Sequence, residues 1–178
     1  MDKKEITIND KKIYNGSIIN LKVVNVRLPN GKTAKREIVE HMGAAAILPV
    51  TKDGKVIMVR QYRKPTEQEL WEIPAGKMEN GELPGACAAR ELEEETGYKG
   101  KLKKVFEFYT SPGFSNEYIY LYTATDLVSG KQNLDPDEIL DIREFTKQEL
   151  KDMISSQKLI DAKTLIGVEY LFTGWMES

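Results

Sequence analysis

Residues 76–98 read GKMENGELPGACAARELEEETGY, and this stretch decides how the rest of the chain is interpreted. A loop containing two glycines leads into a segment that begins with Pro84, a residue favoured at the first position of a helix. Gly97 is a natural stop at the other end. The sequence therefore predicts a helix over residues 84–96, and that helix is rich in glutamate.

The predicted helix has two different faces, because each residue advances about 100° around the axis. Small residues close to Leu92 form a face that can pack closely on a sheet. Glu91, Glu94 and Glu95 fall on one adjacent arc, where side chains three and four positions apart are neighbours. Arg90 can offset only part of this charge. Clustered carboxylates favour hard cations such as Mg²⁺ or Mn²⁺, whereas the alternative from these residues alone is a solvated acidic surface.

Composition narrows the chemistry available to the 178 residues. The chain has 26 Lys and Arg against 28 Asp and Glu, a net charge of −2, which disfavours nucleic-acid binding by bulk charge. Its only histidine, His41, disfavours a Ser-His-Asp triad or a zinc site of several His and Cys. A single cysteine, Cys87, suits a cytoplasmic protein. The charged start and the lack of a long apolar run predict neither a signal peptide nor a membrane span.

The remaining pattern predicts an α+β fold with helices packed on a mixed sheet. Residues 43–50 read as a strand buried on both faces, and Asp53-Gly54 predicts a hairpin that returns along residues 56–62. Further helices are predicted to begin at Thr146, which has capping-box spacing, and near Asp161. Other strands are predicted over 70–73, 105–109, 118–125 and 139–145.

Residues 1–40 are predicted to form a small antiparallel β unit, and residues 41–178 the main domain. Residues 18–28 are rich in Val, Ile and Leu, a turn follows at Pro29-Asn30-Gly31, and an extended pattern resumes over residues 36–39. Such a unit is too small to bury a core alone. It is expected to pack on the main domain or on a partner subunit.

The loop and the helix together match the Nudix box, which we use as the name for residues 76–98. The pattern is Gly, five residues, Glu, seven residues, Arg-Glu, an apolar residue, any residue, Glu-Glu, any residue and Gly. The matching positions are Gly76, Glu82, Arg90, Glu91, Leu92, Glu94, Glu95 and Gly97. Tyr98 stands where the family usually has an aliphatic residue. The chain therefore resembles Nudix hydrolases, which cleave a nucleoside diphosphate linked to another group and fold as an α/β/α sandwich around a mixed sheet.

The resemblance implies a metal centre that uses Mg²⁺ or Mn²⁺. It makes Glu91, Glu95 and the backbone carbonyl of Ala75 metal ligands. Glu94 would be a further ligand or a water-mediated partner with a catalytic role. Glu82 would support the neighbouring arginine or reach the metal shell.

In the same family a catalytic acidic residue (Asp or Glu) comes from a loop late in the chain, which here corresponds to residues 134–138. Glu138 is the preferred candidate, because it enters the following strand as the family's glutamate does. Asp137 is the close alternative, and the Asp-Pro-Asp sequence could equally be a simple turn.

A second motif resembles the ADP-ribose pyrophosphatase subfamily: Tyr109-Thr110-Ser111-Pro112-Gly113 places a proline fifteen residues after Gly97. The resemblance implies hydrolysis of ADP-ribose, and of other ADP-sugars, to AMP and ribose 5-phosphate. The alternatives are a Nudix enzyme for GDP-mannose, FAD, NADH or a dinucleoside polyphosphate, and a sensor that binds ADP-ribose without cleaving it. The intact acids of the Nudix box disfavour the sensor.

The candidates for substrate binding are Arg36, Arg63, Lys77, Gly113 and Glu117. Arginine offers paired donors to phosphate oxygens, although surface salt bridges explain either arginine nearly as well. Enzymes of this subfamily are homodimers whose N-terminal β unit crosses to the other subunit. The resemblance thus predicts a homodimer in which Arg36 serves a composite site.

Overall fold

A computed structural model describes residues 3–134, 136 and 138–173. The strands within these residues are β1 (Ile6–Asn15), β2 (Ile19–Arg27), β3 (Thr33–His41), β4 (Ala44–Pro49), β5 (Val56–Arg63), β6 (Gln68–Glu72), β7 (Ala75–Lys77), β8 (Tyr98–Tyr109), β9 (Tyr118–Ser129) and β10 (Leu140–Phe145). The helices are α1 (Pro84–Thr96), α2 (Lys147–Ser155) and α3 (Ala162–Phe172), and a short 3₁₀ turn follows β5.

The chain divides into two compact units. The first unit comprises Met1–Gly43 with Phe108–Tyr118, and the second comprises Ala44–Glu107 with Ile119–Ser178. In the first unit β1, β2 and β3 form an antiparallel sheet in that order. The sequence did not indicate β1, because all ten of its residues are exposed and lysine, aspartate and asparagine interrupt its apolar residues. The division into domains 1–40 and 41–178 stays a prediction.

The second unit is built around a four-stranded mixed sheet in the order β7-β4-β9-β8, in which β4 runs parallel to β9 and antiparallel to β7. Successive side chains of a strand point to opposite faces. Ala45 and Ile47 of β4 pack in one buried cluster with Leu92 of α1, whereas Leu48 lies next to Gly167 of α3. The helices therefore cover both faces of the sheet. The predicted α/β/α arrangement is confirmed.

The prediction that β4 and β5 pair as a β-hairpin is wrong, because the two strands belong to different sheets. The Asp53-Gly54 turn is present, with Gly54 at a φ of 76°, but among the described residues the pairing between the two strand segments is limited to the bridge from Val50 to Val56. Both edges of β4 are already paired, to β7 and β9, so no edge is left for β5. Instead, β5 pairs with β6 and β10 in a separate three-stranded sheet.

The predicted helix boundaries are confirmed. Gly97, at a φ of 70°, ends α1 and donates its N–H to the carbonyl of Glu93. Thr146 and Glu149 form the predicted capping box of α2. The Asp161 side chain accepts the N–H of Thr164 and caps α3.

Candidate active site

Two glutamates of α1 are buried in the second unit, where the helix packs on β4 and β7. Glu91 is 8% exposed and Glu95 is 3% exposed. The Glu94 side chain is more accessible, at 33%. The three acids that the helix geometry places on one arc thus differ in solvent exposure, and two of them are buried.

Glu95 is the most deeply buried of these acids. Burial, together with the negative charges of Glu91 and Glu138, raises the pKa of Glu95 to about 8. The Ala75 N–H, which donates to Glu95 Oε2 at 3.2 Å, and the charge of Arg63 oppose this rise only in part. A carboxylate in this position favours a nearby cation, because burial without compensation disfavours its charged form.

Glu91 lies against the loop glycine at position 76. A Cβ atom on Gly76 would lie 2.0 Å from Cδ of Glu91, so a side chain at that position overlaps the carboxylate. Burial raises the pKa of Glu91 to about 6, although the charge and hydrogen bond of Arg90 counteract the rise. The first glycine of the Nudix box is therefore required by close approach of the backbone to an acid on the helix.

Arg90 forms hydrogen bonds with three of the glutamates around α1. Its guanidinium donates to both Glu82 carboxylate oxygens at 3.0 Å, to Glu91 Oε1 at 2.5 Å and to Glu94 Oε2 at 2.9 Å. The hydrogen bonds from Arg90 lower the pKa of Glu82 to about 2. Glu93, on the same helix, pairs with Lys99, which lies beyond the end of the helix.

The backbone of Lys77 lies next to Arg90. Its backbone carbonyl accepts a hydrogen bond from Arg90 Nη2 at 3.3 Å. The structure therefore places the backbone of this substrate-binding candidate beside the acids of α1.

The loop after β9 is fastened to the C-terminal end of α1. Gln132 Nε2 donates to the Glu95 carbonyl at 2.8 Å, and the Asn133 N–H donates to the Glu94 carbonyl at 3.0 Å. These bonds satisfy carbonyls that a helix end leaves without intrahelical partners. Farther along the chain, the negative charge of Glu138 acts to raise the pKa values of Glu91 and Glu95. Asp137, the alternative to Glu138, lies outside the described residues.

Arg63 belongs to an ion-pair network around the buried carboxylate of Glu72. Its Nε and Nη2 atoms donate to the two carboxylate oxygens of Glu72, each at 2.8 Å. Lys163 of α3 also donates to Glu72, and it lies 3.1 Å from Asp161 Oδ2. Burial acts to raise the pKa of Glu72, but its cationic partners outweigh this and hold that pKa below its usual range. The sequence analysis missed Glu72 and Lys163 as network members, although a glutamate in a half-buried strand was an available signal.

Replacing Glu72 by Gln is expected to lower the free energy of unfolding by about 2–3 kcal/mol, because two cations then lose their shared carboxylate while Arg63 retains some access to water. Urea unfolding at pH 7 measures the change. Since the folded pKa of Glu72 lies below 4.5, the wild-type advantage should be present above pH 4.5 and disappear as the pH falls through the folded pKa. The control is Glu69→Gln, whose carboxylate is 58% exposed. Equal stability of both variants would contradict the expectation.

Oxygen donors around α1 have the chemistry that a divalent cation requires. Within the described part of the chain, no three His, Cys, Asp or Glu side chains are arranged as a ready-made metal cage. Arg90 Nη1 donates hydrogen bonds to the Glu91 and Glu94 carboxylates instead. The buried Glu95, next to two like charges, nonetheless fits a hard cation.

Substituting Gly76 by Ala is expected to reduce kcat between about tenfold and about 10²-fold, because the new Cβ displaces the Glu91 carboxylate by an ångström or more. Steady-state kinetics on purified protein measure the loss. Gly81→Ala is a control for a loop glycine whose added Cβ would meet nothing within 4 Å, although its φ of 79° adds some strain. An unchanged kcat in Gly76→Ala would show that the position of Glu91 does not matter.

The first unit has its own cavity, of about 450 Å³, beside the loop after β8. Arg36 and Gly113 are among its lining residues. The Arg36 guanidinium donates to both carboxylate oxygens of Glu5, at 3.0 and 2.5 Å. Glu117 accepts the Thr110 hydroxyl at 2.6 Å. Within this unit the structure brings Arg36 and Gly113 to one cavity.

Comparisons with known proteins agree on a family. Residues 39–164 match the family model described as NUDIX domain. The chain is 48% identical over 171 residues to an ADP-ribose pyrophosphatase of Bacillus subtilis (strain 168), covering 94% of this chain and 92% of the relative. It is also 48% identical over 172 residues to a methanol dehydrogenase activator of Bacillus methanolicus, with the same coverages.

A solved structure shows that the fold is shared as well. The crystal structure of an ADP compounds hydrolase superposes with a TM-score of 0.85 at 21% sequence identity. The match covers 98% of this chain and 95% of the other. Separately, none of the helices in the described residues has the length and apolar character needed to cross a membrane.

Proposed function

The chain belongs to the Nudix family, and from that premise we propose that it hydrolyses the diphosphate bond of ADP-ribose, giving AMP and ribose 5-phosphate. The observation that carries this proposal is the buried pair of acids on α1, Glu91 and Glu95, whose pKa values the negative charge of Glu138 acts to raise. The name of the B. subtilis relative supports the choice of substrate. Other ADP-sugars are included as secondary substrates.

We assign the residues of the second unit as follows. Glu91, Glu95 and the Ala75 carbonyl would hold Mg²⁺, or Mn²⁺, with Glu94 as a further ligand or water-mediated partner. Bound divalent cations would neutralise the diphosphate and acidify a water molecule. Glu138 would accept the proton of the attacking water at its carboxylate.

The remaining assignments concern the substrate. Arg63 and Lys77 are the candidates for diphosphate contact in the second unit, and the Glu72 carboxylate holds the Arg63 guanidinium in a fixed orientation. Arg36, Gly113 and Glu117 are the candidates in the first unit. For Arg36 to bind an anion, its guanidinium must leave the Glu5 carboxylate.

The proposal is tested by measuring kcat/KM for ADP-ribose, GDP-mannose, FAD, NADH and a dinucleoside polyphosphate, with Mg²⁺, with Mn²⁺ and with chelator. Product analysis by anion-exchange chromatography should show AMP and ribose 5-phosphate in equal amounts. The highest kcat/KM is expected for ADP-ribose, and chelator should abolish turnover. A higher kcat/KM for another substrate class would replace the substrate assignment and keep the hydrolase.

A second function is open to a direct test, because the methanol dehydrogenase activator is as similar to this chain as the pyrophosphatase is. Purified protein is added to a methanol dehydrogenase, and the dehydrogenase rate is recorded. The same assay with Glu95→Gln shows whether any activation depends on the acids of α1.

We also propose a cytoplasmic homodimer. The N-terminal β unit supports the dimer, because Ile6, Ile13 and Ile18 are each more than half exposed and form apolar surface that a second copy could cover. Sedimentation equilibrium at micromolar concentration should give about twice the 20.2 kDa chain mass. A monomer would contradict the assignment.

A further inference from the structure

An apolar cavity of about 420 Å³ lies in the second unit, lined by α2, α3 and β8. Its volume falls within the range of small-molecule sites. The lining is almost entirely hydrocarbon and aromatic, and none of it belongs to the proposed catalytic residues. The lining residues are Phe106, Ile154, Leu165, Ile166, Glu169, Tyr170 and Thr173.

A polar depression of about 230 Å³ shares one wall with this cavity. It is lined by Lys101, Lys103, Thr123, Thr125 and Tyr170. The ring of Tyr170 lines both spaces and packs edge-on against Phe106 at 5.5 Å between ring centroids. An apolar space and a cationic space are thus both lined by one tyrosine.

The two lysines of the depression carry charge that the described residues do not neutralise. Neither Lys101 nor Lys103 forms an ion pair within residues 3–134, 136 and 138–173. The flanking lysines of β8 differ, since Lys99 lies 3.1 Å from a Glu93 oxygen and Lys104 lies 2.9 Å from a Glu107 oxygen. The positive potential of β8 is therefore concentrated at the depression.

The charges around the two spaces also determine the orientation in which an anionic ligand would bind. Glu169 contributes the only carboxylate among the lining residues of the apolar cavity. It disfavours an anion at that end, whereas the lysines favour one at the other end. A ligand that fits this pattern has an apolar chain and one negative head group.

We infer that the two spaces form a binding site for a medium-chain fatty acid, with the alkyl chain in the apolar cavity and the carboxylate at Lys101 and Lys103. The chain gains free energy by leaving water for a lining of aliphatic and aromatic side chains. The carboxylate meets two ammonium groups that have no other counter-charge in the described residues. This site is independent of the proposed hydrolysis.

Isothermal titration of the full chain with decanoate, below its micelle concentration, tests the inference. Saturable binding of one decanoate per chain is expected. The double variant Lys101→Gln/Lys103→Gln should weaken decanoate binding at least about fivefold and leave decanol binding unchanged. The matched control Lys99→Gln/Lys104→Gln should bind decanoate as the wild type does, because those lysines are already paired.

A variant of the apolar cavity completes the test. Leu165→Trp fills the space and should remove binding of both decanoate and decanol, with circular dichroism used to verify that it folds. Saturating AMP should leave decanoate binding unchanged. The inference is overturned by the absence of saturable decanoate binding, by wild-type decanoate affinity in Lys101→Gln/Lys103→Gln, or by displacement with AMP.

Discussion

Replacing Glu95 by Gln is expected to lower kcat at least about 10³-fold, equivalent to about 4 kcal/mol of transition-state stabilisation. Glutamine keeps the size of the side chain and an oxygen that can accept the Ala75 N–H, which donates at 3.2 Å in the wild type. It removes the negative charge on which the proposed cation binding depends. The substitution therefore keeps the size of the side chain and removes its charge. Steady-state kinetics with ADP-ribose and Mg²⁺ measure the loss of kcat.

The same substitution should not destabilise the metal-free protein at pH 8. Because the pKa of Glu95 is raised to about 8 in the folded state, against 4.5 unperturbed, its protonation stabilises the fold. That contribution is fully present below pH 4.5 and is lost as the pH rises through about 8. Glutamine stays neutral throughout, so the variant should gain on the order of 2 kcal/mol over the metal-free wild type at pH 8, and less at pH 5.

Glu93→Gln is the matched control for this prediction. Glu93 lies on the same helix, and its side chain faces Lys99 rather than the buried acids. Its substitution should change kcat less than twofold, on the order expected for an exposed ion pair. If Glu95→Gln and Glu93→Gln retained similar activity, the assignment of the buried acids as the metal centre would be wrong.

The centre of the site was predictable because its geometry is local. The spacing of acids along α1 follows from the helical repeat, and Gly97 ends the helix by adopting a positive φ. The role of Gly76 is local in origin too, since the loop returns to the helix within fifteen residues and its backbone meets Glu91. In this part of the chain, residues that contact one another are also close in the sequence.

Other features depend on contacts between distant residues, and the sequence did not indicate them. The Glu72–Lys163 pair joins positions separated by 91 residues, so no local period marks it. The hairpin after β4 was wrong because strand pairing is decided by which edges of β4 are free, a property of the whole sheet. Likewise β1 lacks a regular apolar alternation, and its pairing with β2 determines its structure.

Glu138 stands between these two cases. It was chosen as the catalytic candidate by resemblance to the family. Its electrostatic effect on Glu91 and Glu95 is a contact between distant parts of the chain, which no local period of the sequence indicates.

Replacing Glu138 by Gln is therefore expected to lower kcat about 10³-fold, within the range for loss of a general base, and to change KM little. The amide cannot accept a proton from water, but it preserves the length of the side chain. Steady-state kinetics with ADP-ribose and Mg²⁺ measure both kcat and KM.

Two further substitutions decide whether the loss belongs to Glu138 itself. Asp137→Asn tests the neighbouring candidate, and a loss in that variant larger than in Glu138→Gln would move the catalytic role to Asp137. Glu144→Gln is the control on the following strand, because its carboxylate is 43% exposed and pairs with Lys55 at 3.1 Å. It should keep wild-type kcat, since an exposed ion pair of this kind contributes little and lies outside the group of acids that Glu138 joins.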